Sequence, residues 1–88
     1  MNLEYNPRFI KAYKKLHKAK QVAVTEAVDC LLENPDLGQQ KKGALSHIFI
    51  YKFKHNQQEY LLAYSFDTTT MTLVAVGLHE KFYRDIKR

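Results

Sequence analysis

The chain has 88 residues, 45% of them hydrophobic, with six tyrosines, five phenylalanines, one cysteine and a net charge of +5. That is enough apolar material for one folded domain spanning 1–88, too little for two, and too much for a disordered chain. No apolar run approaches the ~18 residues of a membrane span and the opening MNLEYNPRF has no secretory core, so the expected setting is the cytoplasm, with no membrane partner.

The first predicted element is a short strand, NLEY, closed by Asn6-Pro7. Asn6 suits a helix cap and Pro7 the first helical position. Phe9, Tyr13 and Leu16 then recur at i, i+4 and i+7, one face of a first helix whose lysines point elsewhere. A second helix is predicted from about Lys20 to Glu33, with Val24, Ala27, Val28 and Leu31 on one stripe. NPDLG stops it, because Pro35 disfavours helical geometry at Asn34 and Gly38 permits the turn. Cys30, the only cysteine, excludes an internal disulfide; its apolar setting in AVDCLL predicts a buried, unreactive thiol.

The remainder reads as three strands, HIFIYKFKH, EYLLAYSF and MTLVAVGLH, joined by the hairpin-length connections NQQ and DTTT. The predicted fold class is therefore α+β. Two N-terminal helices pack on one face of a small antiparallel sheet, in the order β-α-α-β-β-β, followed by a short C-terminal helix.

Alternation divides each strand into two faces. Phe49, Tyr51 and Phe53, then Tyr60, Leu62, Tyr64 and Phe66, then Val74, Val76 and Leu78 form the bulky set, assigned to the helices. The other face is left with Ile48, Ile50, Lys52, Lys54, Leu61, Ala63, Ser65, Leu73, Ala75, Gly77 and His79. Small residues rimmed by Lys52, Lys54 and His79 suit a flexible polyanion held against cations. An open sheet face with lysines protecting an edge fits the same pattern.

Charge is unevenly distributed. Six basic residues and no acidic one lie between Arg8 and Lys20, and Lys41, Lys42, Lys52 and Lys54 form a second group. Such a surface favours nucleic acid or an acidic protein partner, and it equally serves the solubility of a small domain. In the tail, a helix starting near His79 makes Glu80–Arg84 and Lys81–Asp85 ion pairs and Phe82–Ile86 an apolar pair, so most of its charge is helix maintenance. The leftover i, i+4 pair is His79 with Tyr83.

Lysines, an imidazole and a phenol suit RNA cleavage by attack of a 2′-OH on the adjacent phosphorus. That reaction needs alignment, two proton transfers and stabilisation of charge on the phosphoryl oxygens. A histidine at a strand end is also commonly structural. His17, His47, His55 and His79 lack metal-ligand spacing and no glycine-rich phosphate loop is present, so neither metal nor cofactor is expected.

Taken together, FIKAYKKL, LLENPDLGQQKKGAL, IYKFK, YLLAY and VGLHEKFYRDIKR resemble, in order and spacing, the RelE/ParE superfamily of bacterial type II toxins. The resemblance implies a toxin held by a cognate antitoxin, acidic overall or in its toxin-binding segment, with operator DNA met only through that complex. RelE-like members cut mRNA in the ribosomal A site, inhibiting translation. It further implies that Lys52 and Lys54 contact the scissile phosphate, that His79 stands where RelE has an arginine and YafQ-like members a proton-donating histidine, and that Tyr83 is the aromatic that stacks on or orients the substrate. Lys41, Lys42 and Arg84 are further candidates for RNA binding. Leu61 occupies the place of a phosphate-binding arginine of RelE, and the additional His and Asp of YafQ-like members have no match. ParE-like members, which poison DNA gyrase and are not nucleases, can also carry a His-Glu pair after the last strand, so LHE does not discriminate; the Lys52-x-Lys54 motif and short basic first helix favour the RelE side.

Overall fold

A computed structural model describes residues 1–79, the side chain of Leu45 excepted. The predicted C-terminal helix, with Tyr83, Arg84 and the pairs Glu80–Arg84, Lys81–Asp85 and Phe82–Ile86, lies outside the described residues. The chain runs β1 (Asn2–Tyr5), α1 (Pro7–Lys14), α2 (Lys18–Glu33), a 3₁₀ turn (Pro35–Leu37), β2 (Gln39–Gln40), a second 3₁₀ turn (Gly43–Leu45), β3 (Phe49–His55), β4 (Gln58–Phe66) and β5 (Thr70–Leu78).

Asn6 caps α1 as expected. Its backbone is extended and its Oδ1 accepts the Arg8 N–H at 2.9 Å, with Pro7 just inside the helix. The α1–α2 junction has no such signal. α2 starts two residues before the predicted Lys20, behind His17, whose side chain makes no capping hydrogen bond. The Gln21 amide secures the junction by donating to the Tyr13 carbonyl at 2.9 Å. Val24, Ala27, Val28 and Leu31 form the buried stripe of α2. Cys30 is exposed, contrary to the expectation from its apolar neighbours. Residues adjacent in a helix point ~100° apart, so Cys30 faces away while Leu31 enters the core.

The strands form one sheet in the order β1-β5-β4-β3-β2. β3, β4 and β5 make the predicted antiparallel meander, but β1 joins parallel to β5, with Leu3 opposite Met71, so the sheet is mixed. The reason is topological. The helical hairpin carries the chain away from β1, and the edge of β5 is the position left for it. β2 is an edge strand of two residues, too short for alternation to reveal.

The β3–β4 hairpin turns through Asn56 and Gln57, at φ 52° and 65°. Paired left-handed residues match the twist of the flanking strands. The β4–β5 connection is organised by Asp67, whose Oδ1 accepts from the Thr69 and Thr70 N–H groups at 2.8 Å and from the Thr69 hydroxyl at 3.1 Å. These donors hold the Asp67 carboxyl below its ordinary range.

β4 lies at the centre of the sheet, and Tyr60 to Tyr64 are buried without interruption. On the helix side, Leu62, Tyr64, Met71, Leu73 and Val76 pack with Phe9, Val24, Ala27, Val28 and Leu31. On the opposite side, Ile48, Ile50, Leu61, Ala63 and Ala75 form a smaller cluster with Val74 against it. Two residues have therefore exchanged faces relative to strict alternation: Leu73 belongs to the helix-side core and Val74 to the other face. The cause is a β-bulge. Ala63 pairs with Ala75 and Tyr64 with Leu73, leaving Val74 as the extra residue. Beyond it, Ala75, Gly77 and His79 keep their predicted face.

Gly38 has an ordinary φ of −76°, so the turn does not require glycine's backbone freedom. What requires it is Tyr64: a Cβ on Gly38 would lie 2.5 Å from the Tyr64 hydroxyl oxygen and 2.7 Å from its ring.

Candidate nucleic-acid interface

The register assembles the face opposite the helices in rows. Lys54 lies opposite Glu59 and Lys52 opposite Leu61, while Leu61 pairs on its other side with Gly77. Tyr60 pairs with Leu78, which carries the next residue, His79, to the end of the sheet beside Glu59. Lys52 and Lys54, adjacent on one face of β3, thus share that face with His79, which is distant from them in sequence. With neighbouring strands ~4.8 Å apart, this cationic strip spans roughly 10 Å from β3 to β5.

Lys52 and Lys54 are exposed, and neither forms an ion pair with a described residue. His79 Nε2 lies 3.8 Å from Glu59 Oε1, with side chains 48% and 38% exposed. The distance suits an ion pair and exceeds hydrogen-bond length, and both side chains are part-exposed. A cleft of about 260 Å³, lined by Gln57, Gln58, Glu59, Leu78 and His79, opens beside them. A second cleft of about 360 Å³ brings Lys41 and Lys42 alongside Lys52, Gln39, Gln40 and Ile50. On β5, Gly77 adds no side chain to this face, and a Cβ there would meet no described atom within 4 Å. Leu61 is fully buried between Lys52 and Gly77.

Of the other histidines, His55 turns toward the helices near Lys20, Ala23 and Tyr60. Tyr83 and Arg84 lie outside the described residues. Sequence reasoning missed Glu59. Alternation places it on the face of Leu61 and Ala63, but its closeness to His79 needs the β4–β5 register. A larger cavity, about 450 Å³, lies on the opposite side of the sheet, where Tyr5, Phe9, Ile10, Tyr13, Val24 and Leu73 contribute to its walls. The open face thus combines fixed cations able to hold a phosphodiester with a proton-accepting carboxylate and an imidazole.

The ParE-like toxin family of type II bacterial toxin–antitoxin systems matches residues 3–87. The chain belongs to that family. Solved structures of RelE proteins share the toxin's fold. The isolated Escherichia coli RelE toxin superposes with a TM-score of 0.68 at 22% identity, over 99% of this chain and 96% of that one. The toxin–antitoxin complex RelBE2 of Mycobacterium tuberculosis gives 0.75 at 22% identity, covering 89% and 96%. The intact Escherichia coli RelBE complex gives 0.68 at 22%, covering 86% and 93%. No curated protein matches the toxin. Among its described residues no helix is long and apolar enough to cross a membrane.

Proposed function

We propose that this toxin is a ribosome-dependent mRNA endoribonuclease, cutting in the A site by attack of a 2′-OH on the adjacent phosphorus and so stopping translation. The observation that carries the reading is the placement of Lys52, Lys54 and His79 on one face of the sheet. In it, the two ammonium groups stabilise the charge that builds on the phosphoryl oxygens, and His79 protonates the departing 5′-oxygen. Leu61 contributes no charge, so the lysines carry that load. Lys41 and Lys42 hold the flanking RNA backbone, and Tyr83 and Arg84, assigned from sequence, complete the substrate contacts. A cognate antitoxin restrains the toxin, a reading supported by the RelBE complexes among its structural relatives.

Poisoning of DNA gyrase is the second reading, favoured by the ParE-like family match. After induction of the toxin, measuring whether protein or DNA synthesis stops first separates the two. The nuclease stops translation, leaves cuts within codons detectable by primer extension, and loses toxicity in His79→Ala. Trapped gyrase–DNA complexes, an SOS response and a toxic His79→Ala variant would instead establish the gyrase reading.

Gly77 offers a test of the binding floor that spares the charges. Gly77→Leu should leave stability within about 0.5 kcal/mol, because the added Cβ meets no described atom. It should slow mRNA cleavage by about 10²-fold through misplacement of the phosphodiester. Wild-type cleavage by a folded Gly77→Leu protein would move the substrate off this face.

A further inference from the structure

Cleavage by 2′-OH attack moves two protons, one off the nucleophile and one onto the leaving oxygen. The described residues of the open face supply few groups able to accept the first. Lysine ammonium groups are donors with no acceptor, and Leu61 and Gly77 contribute no polar side chain. The acceptors at the Lys54 end of the strip are Glu59, as a carboxylate, and His79. If His79 gives the second proton, Glu59 is, among the described residues at this end of the face, the group placed to take the first.

The geometry supports this division. Glu59 stands between Lys54, its partner in register, and His79, whose Nε2 is 3.8 Å from its Oε1. Its side chain is 38% exposed, neither locked in a short hydrogen bond to the imidazole nor sealed in the core. The adjacent cleft of about 260 Å³ includes both residues in its lining, giving a nucleotide access to the two groups together. The Gln58 and Gln57 side chains on the same wall add neutral donors and no competing base.

We infer that Glu59 is the general base of the reaction, paired with His79 as the general acid; the assignment rests on the nuclease reading above. Glu59 takes the 2′-OH proton as the bond from 2′-oxygen to phosphorus forms. The bond from phosphorus to the 5′-oxygen breaks, and that oxygen receives the Nε2 proton of His79. The products are a 2′,3′-cyclic phosphate end and a 5′-hydroxyl end. Protonated Glu59 and neutral His79 then return to their starting states by proton exchange with water, to which both are open.

The test uses full-length toxin on ribosomes programmed with a short synthetic mRNA, in two forms: a natural linkage at the cut site, and one with sulfur in place of the bridging 5′-oxygen. A thiolate leaves without needing protonation. On the natural linkage, Glu59→Gln and His79→Ala should each slow cleavage by about 10²–10⁴-fold. The sulfur linkage should restore His79→Ala toward wild type and leave Glu59→Gln slow. Glu59→Asp, which keeps a carboxylate on a shorter stem, should cut the natural linkage at an intermediate rate. Circular dichroism of the variants should match wild type. Cleavage by Glu59→Gln within about threefold of wild type overturns the assignment, on the same scale of expected base catalysis. Rescue of Glu59→Gln by the sulfur linkage also overturns it, since Glu59 would then act only through His79. Natural mRNA left uncut by wild-type toxin removes the nuclease reading, and this assignment with it.

Discussion

Replacing Lys52 or Lys54 by alanine should slow mRNA cleavage by about 10²–10³-fold for each ammonium removed, the effect of deleting a donor to developing negative charge. Both lysines are exposed and belong to neither hydrophobic cluster. Stability should therefore change by no more than about 0.5 kcal/mol. Single-turnover cleavage on programmed ribosomes measures the first effect and urea denaturation the second. Lys→Arg at either position retains the charge but changes its shape and reach, so it should fall between wild type and alanine. A Lys52→Ala/Lys54→Ala protein that folds and still cuts at the wild-type rate would rule out this strip as the phosphate site.

On stability, the largest expected loss lies on the other face, at Tyr64. Its hydroxyl donates to the Pro35 carbonyl at 2.6 Å and accepts the Gly38 N–H at 2.9 Å, tying the segment after α2 to the central strand. Tyr64→Phe should cost about 1–3 kcal/mol, because it leaves a backbone donor and acceptor unpaired near the core. Gly38→Ala should cost a similar ~1–3 kcal/mol by driving a methyl group into the same ring. The two share one contact, so the double variant should lose less than the sum of the singles. Simple additivity in urea titrations would contradict the clasp.

Burial raises the Tyr64 pKa above its ordinary value, with Asp36 and Tyr51 adding to the effect and the Gly38 N–H opposing it. A raised phenol pKa stabilises the fold fully below the ordinary tyrosine value of about 10, and the contribution is lost as pH rises through the folded value. Alkaline unfolding should accordingly be less pronounced in Tyr64→Phe than in wild type.

Much of the fold was legible because local patterns recorded it. The Asn6-Pro7 cap, the stripe Val24, Ala27, Val28 and Leu31, and the three meander strands each follow from neighbouring residues and one period. Features that depend on distant partners were not legible. The parallel pairing of Leu3 with Met71 joins segments nearly the whole chain apart, and Gln39–Gln40 is too short for a pattern. The bulge at Val74 reversed the faces of Leu73 and Val74, because a period of two carries no mark of an extra residue. Cys30 shows the converse: its apolar neighbours in sequence are not its neighbours in space, because a helix turns them to other faces.

The sequence by itself determined the α+β order of elements, the buried stripe of α2 and the shared strand face of Lys52 and Lys54, since each is a local consequence of side-chain spacing. Only the tertiary structure decided that His79 joins those lysines on one face of the sheet, that Glu59 stands beside His79, and that Gly38 is required by the Tyr64 ring. Those facts depend on strand register and close packing, which arise when segments far apart in the chain are brought together.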